Sequence, residues 1–89
     1  MDPEKYERAR VELIEGELAD VQNHIRDASE AASQGELEKA QTLLDHAKHA
    51  HEIASFHIEK LPAEETSLRD LAQVLHHNLA EVEQQIIKS

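Results

Sequence analysis

The sequence predicts an all-α fold, an antiparallel three-helix bundle with up-down-up topology that forms a single domain over residues 1–89. Apolar residues recur at a spacing of three and four along almost the whole chain, which is the period of an amphipathic helix, and no stretch alternates with the period of two that marks a strand. Two interruptions break the pattern, at Gly35 and at Pro62. The short connections expected there make sequential helices antiparallel neighbours.

The first helix is predicted over residues 3–34. Asp2 has the side chain of an N-cap, and Pro3 suits the first helical position, where its missing N–H is not needed. The apolar spacing continues through Gly16, so the helix is expected to stay whole there, and Gly35 can adopt the left-handed conformation that ends it. The predicted core stripe consists of Val11, Ile14, Leu18, Val21, Ile25, Ala28 and Ala32.

The second helix is predicted over residues 36–61 and the third over residues 67–87. Pro62 ends the second helix, because the residue before a proline is disfavoured in the helical conformation. Thr66 or Ser67 is the expected N-cap of the third helix. The apolar positions in register are Leu37, Ala40, Leu44, Ala47, Ala54, Ile58 and Leu61 in the second helix, and Leu68, Ala72, Leu75, Leu79, Val82 and Ile86 in the third.

The first helix, about 45 Å long at 1.5 Å per residue, is expected to extend beyond the shorter third helix. Val11 and Leu13 on this overhang would then be available to a second copy of the chain. A chain of this size buries only about 60–65% of the surface that its unfolded form exposes, and without cysteine it has no disulfide to compensate. The sequence therefore predicts a homo-oligomer in which the bundle dimerises into a larger one.

The charge of the chain excludes several classes of partner. It carries 19 acidic and 9 basic residues, a formal net charge of −10, so nucleic acid and anionic membrane surfaces are not expected to bind it. No apolar run approaches the roughly 18 residues that span a bilayer. Residues 1–4 lack an apolar stretch, so the chain as given contains no signal peptide. We therefore expect it in the cytoplasm, or in the periplasm if a leader was removed.

Enzyme motifs are missing from the sequence. With Gly16 and Gly35 as its two glycines, the chain has no glycine-rich phosphate loop, and without cysteine it has no thiol nucleophile. No histidine has a glutamate three residues before it, so the Glu-x-x-His pair of di-iron bundles is also absent. The sequence therefore predicts a protein that is not an enzyme.

Histidine is the compositional feature that points to a function. The chain has seven, and four of them lie between residues 46 and 57. Side chains three or four residues apart lie on one face of a helix, so His46 and His49, or Asp45 and His49, can bind one ion from consecutive turns. The four-residue spacing recurs in Asp20 with His24 and in His77 with Glu81. The predicted metal ligands are His46, His49, Asp45 and His57, with His24, His77 and Glu81 as further candidates.

Neutral imidazole supported by carboxylates suits Ni(II), Cu(II) or Zn(II), and the lack of cysteine argues against Cu(I) and iron–sulfur clusters. Two helical side chains leave coordination positions open to water, which favours reversible sequestration or buffering over a closed structural zinc site. His51 occupies the core register between Ala47 and Ala54. Its spacing leaves two alternatives open, a buried hydrogen-bonded histidine or a ligand that meets a neighbouring helix.

The segment Gly35–Lys48, with Leu-Leu-Asp-His-Ala-Lys at residues 43–48, resembles the repeat of the His-rich small metal-binding proteins of bacterial periplasms. The resemblance implies a helical bundle that binds several divalent transition ions loosely, and it carries over His46 alone. The sequence departs from the family pattern at positions where that pattern has histidine, namely Gln34, Lys39 and Ile53.

Two other interpretations of the same sequence remain open. Scattered histidines in an acidic helical protein can simply be part of its solvated surface. Alternatively, Phe56, Ile53 and Val74, which lie off the main apolar stripes, would form the surface of a protein-interaction module or pH-responsive adaptor. Protonating all seven histidines would add seven charges and raise the formal net charge from −10 to −3, which is large enough to switch association.

Overall fold

Three helices form the structure, α1 (Pro3–Ser33), α2 (Leu37–Ile58) and α3 (Ser67–Ile87). The computed structural model describes residues 3–63 and 65–88, and the expected N-cap Asp2 lies outside them. The predicted all-α three-helix bundle is therefore confirmed, with element bounds within three residues of those expected. None of the helices in these ranges is long and apolar enough to cross a bilayer.

The helices run up, down and up, as their side-chain contacts show. Arg10 Nη1 lies 3.5 Å from the backbone oxygen of Lys60 while His24 lies beside His46, so α1 and α2 are antiparallel. Ser29 in the last part of α1 exchanges hydrogen bonds with Gln85 near the end of α3, so these two helices are parallel. The chain reverses its direction a second time between α2 and α3.

The end of α1 follows the glycine geometry that the sequence predicts. Gly35 has a φ of 80°, and its N–H donates to the carbonyl of Ala32, while the N–H of Glu36 donates to the carbonyl of Ala31 at 2.9 Å. These two bonds satisfy helix-end carbonyls that would otherwise lack a partner. The helix continues through Gly16, as expected.

We expect Gly16→Ala to raise the free energy of unfolding by up to about 1 kcal/mol. Gly16 is exposed within α1, and a methyl group added there meets no atom within 4 Å. Urea denaturation measures the effect. The same substitution at Gly35 is the matched control and should lower stability by roughly 1–2 kcal/mol, because an alanine there is forced into the left-handed region. A stabilising Gly35→Ala or a destabilising Gly16→Ala would contradict this account.

The predicted end of α2 at Leu61 is wrong by three residues. The α-helix ends at Ile58, and the chain then tightens into a turn in which the N–H groups of Lys60 and Leu61 donate to carbonyls only three residues back. Pro62 is the physical reason, because it forces the chain to leave the helix before it. Leu61 nevertheless remains buried, so the core position is retained without the helix.

The N-cap of α3 is Thr66, one of the two residues expected there, but the side-chain cap is not formed. Thr66 occupies the N-cap position without a side-chain hydrogen bond to the helix, and Ser67 is already the first helical residue. The carboxylate of Glu65 instead accepts from the N–H of Leu68, with a nitrogen–oxygen distance of 3.5 Å. A carboxylate at this end of the helix is favoured by the helix dipole as well.

The core runs the length of the bundle and is rich in alanine where α1 meets α2. Ala28, Ala40, Ala47 and Ala54 are completely buried, as are Ile14 and Val21. Small side chains at these positions let the two helix backbones approach closely. Leu37, predicted in the core, is instead 37% exposed because it is the first residue of α2 and lies at the end of the bundle.

Two apolar residues were expected to be exposed on the part of α1 that extends beyond the third helix, and one of them is not. Val11 is half-buried and packs against the core of its own chain, so the prediction that it is free for a second copy is wrong. Leu13 is 43% exposed, and Tyr6, seven residues before it, is 56% exposed. The exposed apolar surface of α1 therefore lies on the face that carries Tyr6 and Leu13.

Candidate metal-binding site

The fold brings two of the predicted ligands together across the α1–α2 seam. The imidazole rings of His24 and His46 have centroids 5.6 Å apart and meet edge to face at 88°. The two residues are 22 positions apart in the chain, and no helical spacing relates them. The antiparallel packing of α1 on α2 is what makes them neighbours.

The orientation of His24 is held by its own helix. Its Nδ1 lies 2.7 Å from the backbone oxygen of Asp20. Because a carbonyl oxygen only accepts, Nδ1 must carry the proton and donate, and the neutral ring then has its lone pair on Nε2. Metal-binding histidines are usually held in this way, with one ring N–H donated to a carbonyl and the other nitrogen facing the ion.

The residues that helical spacing predicts as ligands together with His46 do not form a complete set of metal ligands around it. His46 and His49 are both exposed on α2, and Asp45 accepts a hydrogen bond from Gln41 Nε2 at 2.9 Å. His49 lies three residues after His46, so the two side chains belong to the same face of α2. Asp45 and His49 as ligands therefore stay a prediction.

His57 lies too far from His46 to share an ion with it. Eleven residues of helix separate the two, about 16 Å along the axis. The His57 ring packs edge to face against Phe56, with centroids 5.4 Å apart, and its Nδ1 is buried without a hydrogen-bond partner among the residues described. The axial distance therefore makes His57 a separate group.

His77 and Glu81 meet as their four-residue spacing predicts. His77 Nε2 lies 2.9 Å from a carboxylate oxygen of Glu81, and both side chains are largely exposed. One imidazole and one carboxylate in open solvent form a weaker chelate than two imidazoles held by different helices.

His51 makes the hydrogen bond to a neighbouring helix that one of its two alternatives predicts. His51 is half-buried, and its Nε2 lies 2.8 Å from the backbone oxygen of Ala72 on α3. Its Nδ1 lies 3.4 Å from the hydroxyl of Ser55 on its own helix. The core register predicted from the sequence thus brings this ring onto α3.

Within residues 3–63 and 65–88, no three His, Cys, Asp or Glu side chains are grouped closely enough to hold a metal ion together. Any ion on the described surface would be bound by a pair of side chains and completed by water or by a rotamer change. No family model matches the chain, and searches of curated proteins and of solved structures return no significant match.

Proposed function

We propose that this protein is a small non-enzymatic binding protein that reversibly binds a divalent transition metal ion, Ni(II), Cu(II) or Zn(II), between His24 and His46. The single observation that carries the proposal is the cross-helix contact of these two rings at 5.6 Å. Two imidazoles on one tetrahedral ion, with metal–nitrogen distances of about 2.0–2.1 Å, have ring centres about 5 Å apart. A small rotation of the exposed His46 is enough to reach that geometry.

His24 supplies the rigid half of the site and His46 the adjustable half. The hydrogen bond from His24 Nδ1 to the Asp20 carbonyl leaves Nε2 as the free donor atom without any proton rearrangement. His46 is exposed and can adjust its rotamer at little cost. Because only two protein ligands are close, water fills the remaining positions, and the ion can exchange as sequestration or buffering requires.

The charge of the protein supports the same proposal. A formal net charge of −10 on 89 residues attracts divalent cations and raises their concentration near the surface. This field acts on any cation, whereas selection of Ni(II), Cu(II) or Zn(II) over Mg(II) or Ca(II) comes from the imidazole nitrogen donors.

Calorimetric titration of the tag-free protein with Ni(II), Cu(II) and Zn(II) at pH 7.5 tests the proposal. We expect at least one ion to bind with a dissociation constant tighter than about 100 µM, equivalent to about −5.5 kcal/mol. Binding should disappear near pH 5.5, because imidazole is largely protonated there and a protonated ring cannot bind a metal. No heat of binding at pH 7.5 for any of the three ions would refute the proposal.

The double variant His24→Asn/His46→Ala should weaken the binding of Zn(II) by about tenfold or more. Even the loss of a residue that only hydrogen-bonds a metal ligand typically lowers metal affinity by that factor. Asparagine places an N–H donor near the position of Nδ1, so the bond to the Asp20 carbonyl is retained while the Nε2 ligand is lost. His77→Ala is the matched control, because it removes an exposed histidine from α3 and should leave this affinity unchanged. Equal affinities in the double variant and the control would assign the ion elsewhere.

A protein-interaction module is the second candidate, and the exposure of Phe56 and Val74 favours it. Both side chains are more than half exposed, at 56% and 55%, whereas Ile53 is half-buried. The Phe56 ring is held in place by Lys60, whose ammonium nitrogen lies 4.1 Å from the ring centroid. If no metal binds, Phe56→Ala should weaken binding to a protein partner without changing the stability of the bundle.

Self-association is proposed on the exposed apolar face of α1. Tyr6 and Leu13 lie seven residues apart, so they occupy the same face of the helix. Sedimentation velocity should show a dimer at high protein concentration, and Leu13→Glu should shift it to the monomer. A monomer at every concentration would contradict the homo-oligomer.

A further inference from the structure

A groove runs between α2 and α3 on the side of the bundle away from the His24–His46 pair. It holds two adjoining cavities of 340 and 280 Å³. His51 of α2 and His76 of α3 line both cavities, so these two rings lie where the cavities meet. None of the spacing rules applied to the sequence relates these two residues, which are 25 positions apart.

His51 is oriented from the neighbouring helix. Its Nε2 lies 2.8 Å from the carbonyl oxygen of Ala72, which only accepts, so Nε2 carries the proton. The neutral ring then has its lone pair on Nδ1, whose neighbour is the Ser55 hydroxyl at the longer distance of 3.4 Å. The ring is therefore fixed by a carbonyl in the manner of a metal-binding histidine, and an ion bound to Nδ1 would replace the long contact with the Ser55 hydroxyl.

His76 supplies the second imidazole. Its ring centroid lies 5.6 Å from that of His51, the same separation as in the His24–His46 pair, and the planes are tilted by 39°. His76 is exposed and makes no hydrogen bond through its side chain to the part of the chain that the structure describes. It can therefore turn a ring nitrogen toward His51 without breaking an existing interaction.

The charged residues around the larger cavity leave one carboxylate available. Lys48 and Glu83 both line it, and they neutralise each other through an ion pair of 3.1 Å. Glu52 lines the same cavity on α2, one residue after His51, and is exposed. A carboxylate that lines the same cavity adds negative charge near the two imidazoles, which favours a divalent cation.

We propose that His51 Nδ1 and His76 form a second binding site for a divalent transition metal ion, completed by water, with the Glu52 carboxylate adding negative charge near the ion. The site goes beyond the one proposed between α1 and α2, shares no ligand with it, and stands independently of it. An ion bound here would link α2 to α3, whereas an ion at His24 and His46 links α1 to α2. The chain then binds two ions.

The experiment uses the His24→Asn/His46→Ala protein, in which the first site has been removed, and titrates it with Zn(II) and with substoichiometric Cu(II) at pH 7.5. We expect one Zn(II) to bind still, and the Cu(II) electron paramagnetic resonance spectrum to show splitting from two imidazole nitrogens. Adding His76→Ala should weaken Zn(II) binding by about tenfold or more and remove the splitting from one nitrogen in the Cu(II) spectrum. His76 is exposed, so this change is not expected to unfold the protein.

His51→Gln is the second variant. The amide nitrogen of glutamine lies near the position of Nε2, so the donor to the Ala72 carbonyl is retained while the Nδ1 ligand is lost. It should reproduce the loss seen with His76→Ala, whereas Gln84→Ala, at an exposed position of α3 that lines neither cavity, should change neither the affinity nor the spectrum. Circular dichroism of each variant confirms that the helices are intact.

Three results would overturn the second site. The first is that no Zn(II) binds to the His24→Asn/His46→Ala protein. The second is that His76→Ala leaves its affinity and spectrum unchanged. The third is that Gln84→Ala weakens binding as much as His76→Ala does. If the double variant binds no ion although the wild type does, only the site between α1 and α2 exists. If the double variant binds as well as the wild type and its binding depends on His76, only the site between α2 and α3 exists.

Discussion

Replacing Arg69 with methionine is expected to lower the free energy of unfolding by about 3 kcal/mol, a large part of the stability of a domain this small. The guanidinium of Arg69, near the start of α3, donates to the carbonyls of Ile58 and Leu61, each at 3.1 Å. It also donates to the carbonyls of Pro62, at 3.0 Å, and Glu65. One half-buried side chain thus serves four backbone acceptors at the end of α2 and in the connection that follows.

The large effect follows from the loss of a charged donor that four carbonyls share. Hydrogen bonds to a charged group contribute about 1.5–3 kcal/mol each, and without Arg69 the carbonyls of Ile58 and Pro62 keep the bonds from the N–H groups of Leu61 and Glu65. A positive charge at the carboxyl end of α2 is also favoured by the helix dipole. Methionine keeps much of the apolar stem of Arg69, so the loss measured is that of the donors.

Urea denaturation followed by circular dichroism measures the change, with Arg69→Lys as a second variant. Lysine keeps the charge, but its single ammonium group cannot donate to all four carbonyls as the planar guanidinium does. Most of the loss in stability should therefore remain. Arg26→Met is the matched control. Arg26 is exposed and its ion pair with Asp27 spans 3.7 Å, so its loss should cost less than about 1 kcal/mol. Similar costs at Arg69 and Arg26 would show that the carbonyl contacts contribute little.

Replacing Ala47 with leucine is expected to cost about 2–3 kcal/mol by overpacking the core. Ala47 is completely buried in the main core cluster. A leucine there has three more carbon atoms and no cavity to receive them, so α2 must move away from its neighbours. Because His46 is the adjacent residue, the same movement should separate it from His24 and weaken metal binding at the proposed site.

Ala19→Leu is the matched control for this prediction, because Ala19 is exposed on α1 and leucine is nearly as good a helix former as alanine. Its unfolding free energy should stay within about 0.5 kcal/mol of the wild type, as is usual for a surface position. A thermal melt and a Zn(II) titration on both proteins separate the two effects. If Ala47→Leu were as stable as Ala19→Leu, the core would have room that the structure does not show.

The candidate ligands show how far sequence spacing reaches. His77 and Glu81 were expected to meet from their four-residue spacing, and they do, because residues at that spacing are neighbours on any α-helix. Asp45 and His49 have the same spacing, yet the Asp45 carboxylate binds Gln41, which lies at the same distance on its other side. Spacing identifies possible partners on a helix but does not rank them against each other.

The sequence by itself determined the features that depend on local geometry. Its three-four apolar spacing predicted the three helices, and Gly35 predicted the end of α1, because a helix and a left-handed turn are set by residues close together in the chain. The burial of Leu61 was likewise predicted from its register, although the helix ends before it.

Only the tertiary structure decided which histidines meet. The pairing of His24 with His46, and of His51 with His76, depends on how far each helix is shifted along its neighbour. That shift is set by the packing of completely buried alanines between α1 and α2 and by the hydrogen bonds of Ser29 with Gln85 between α1 and α3. A shift of one turn, about 5.4 Å, would separate either pair, and no spacing within a single helix records it.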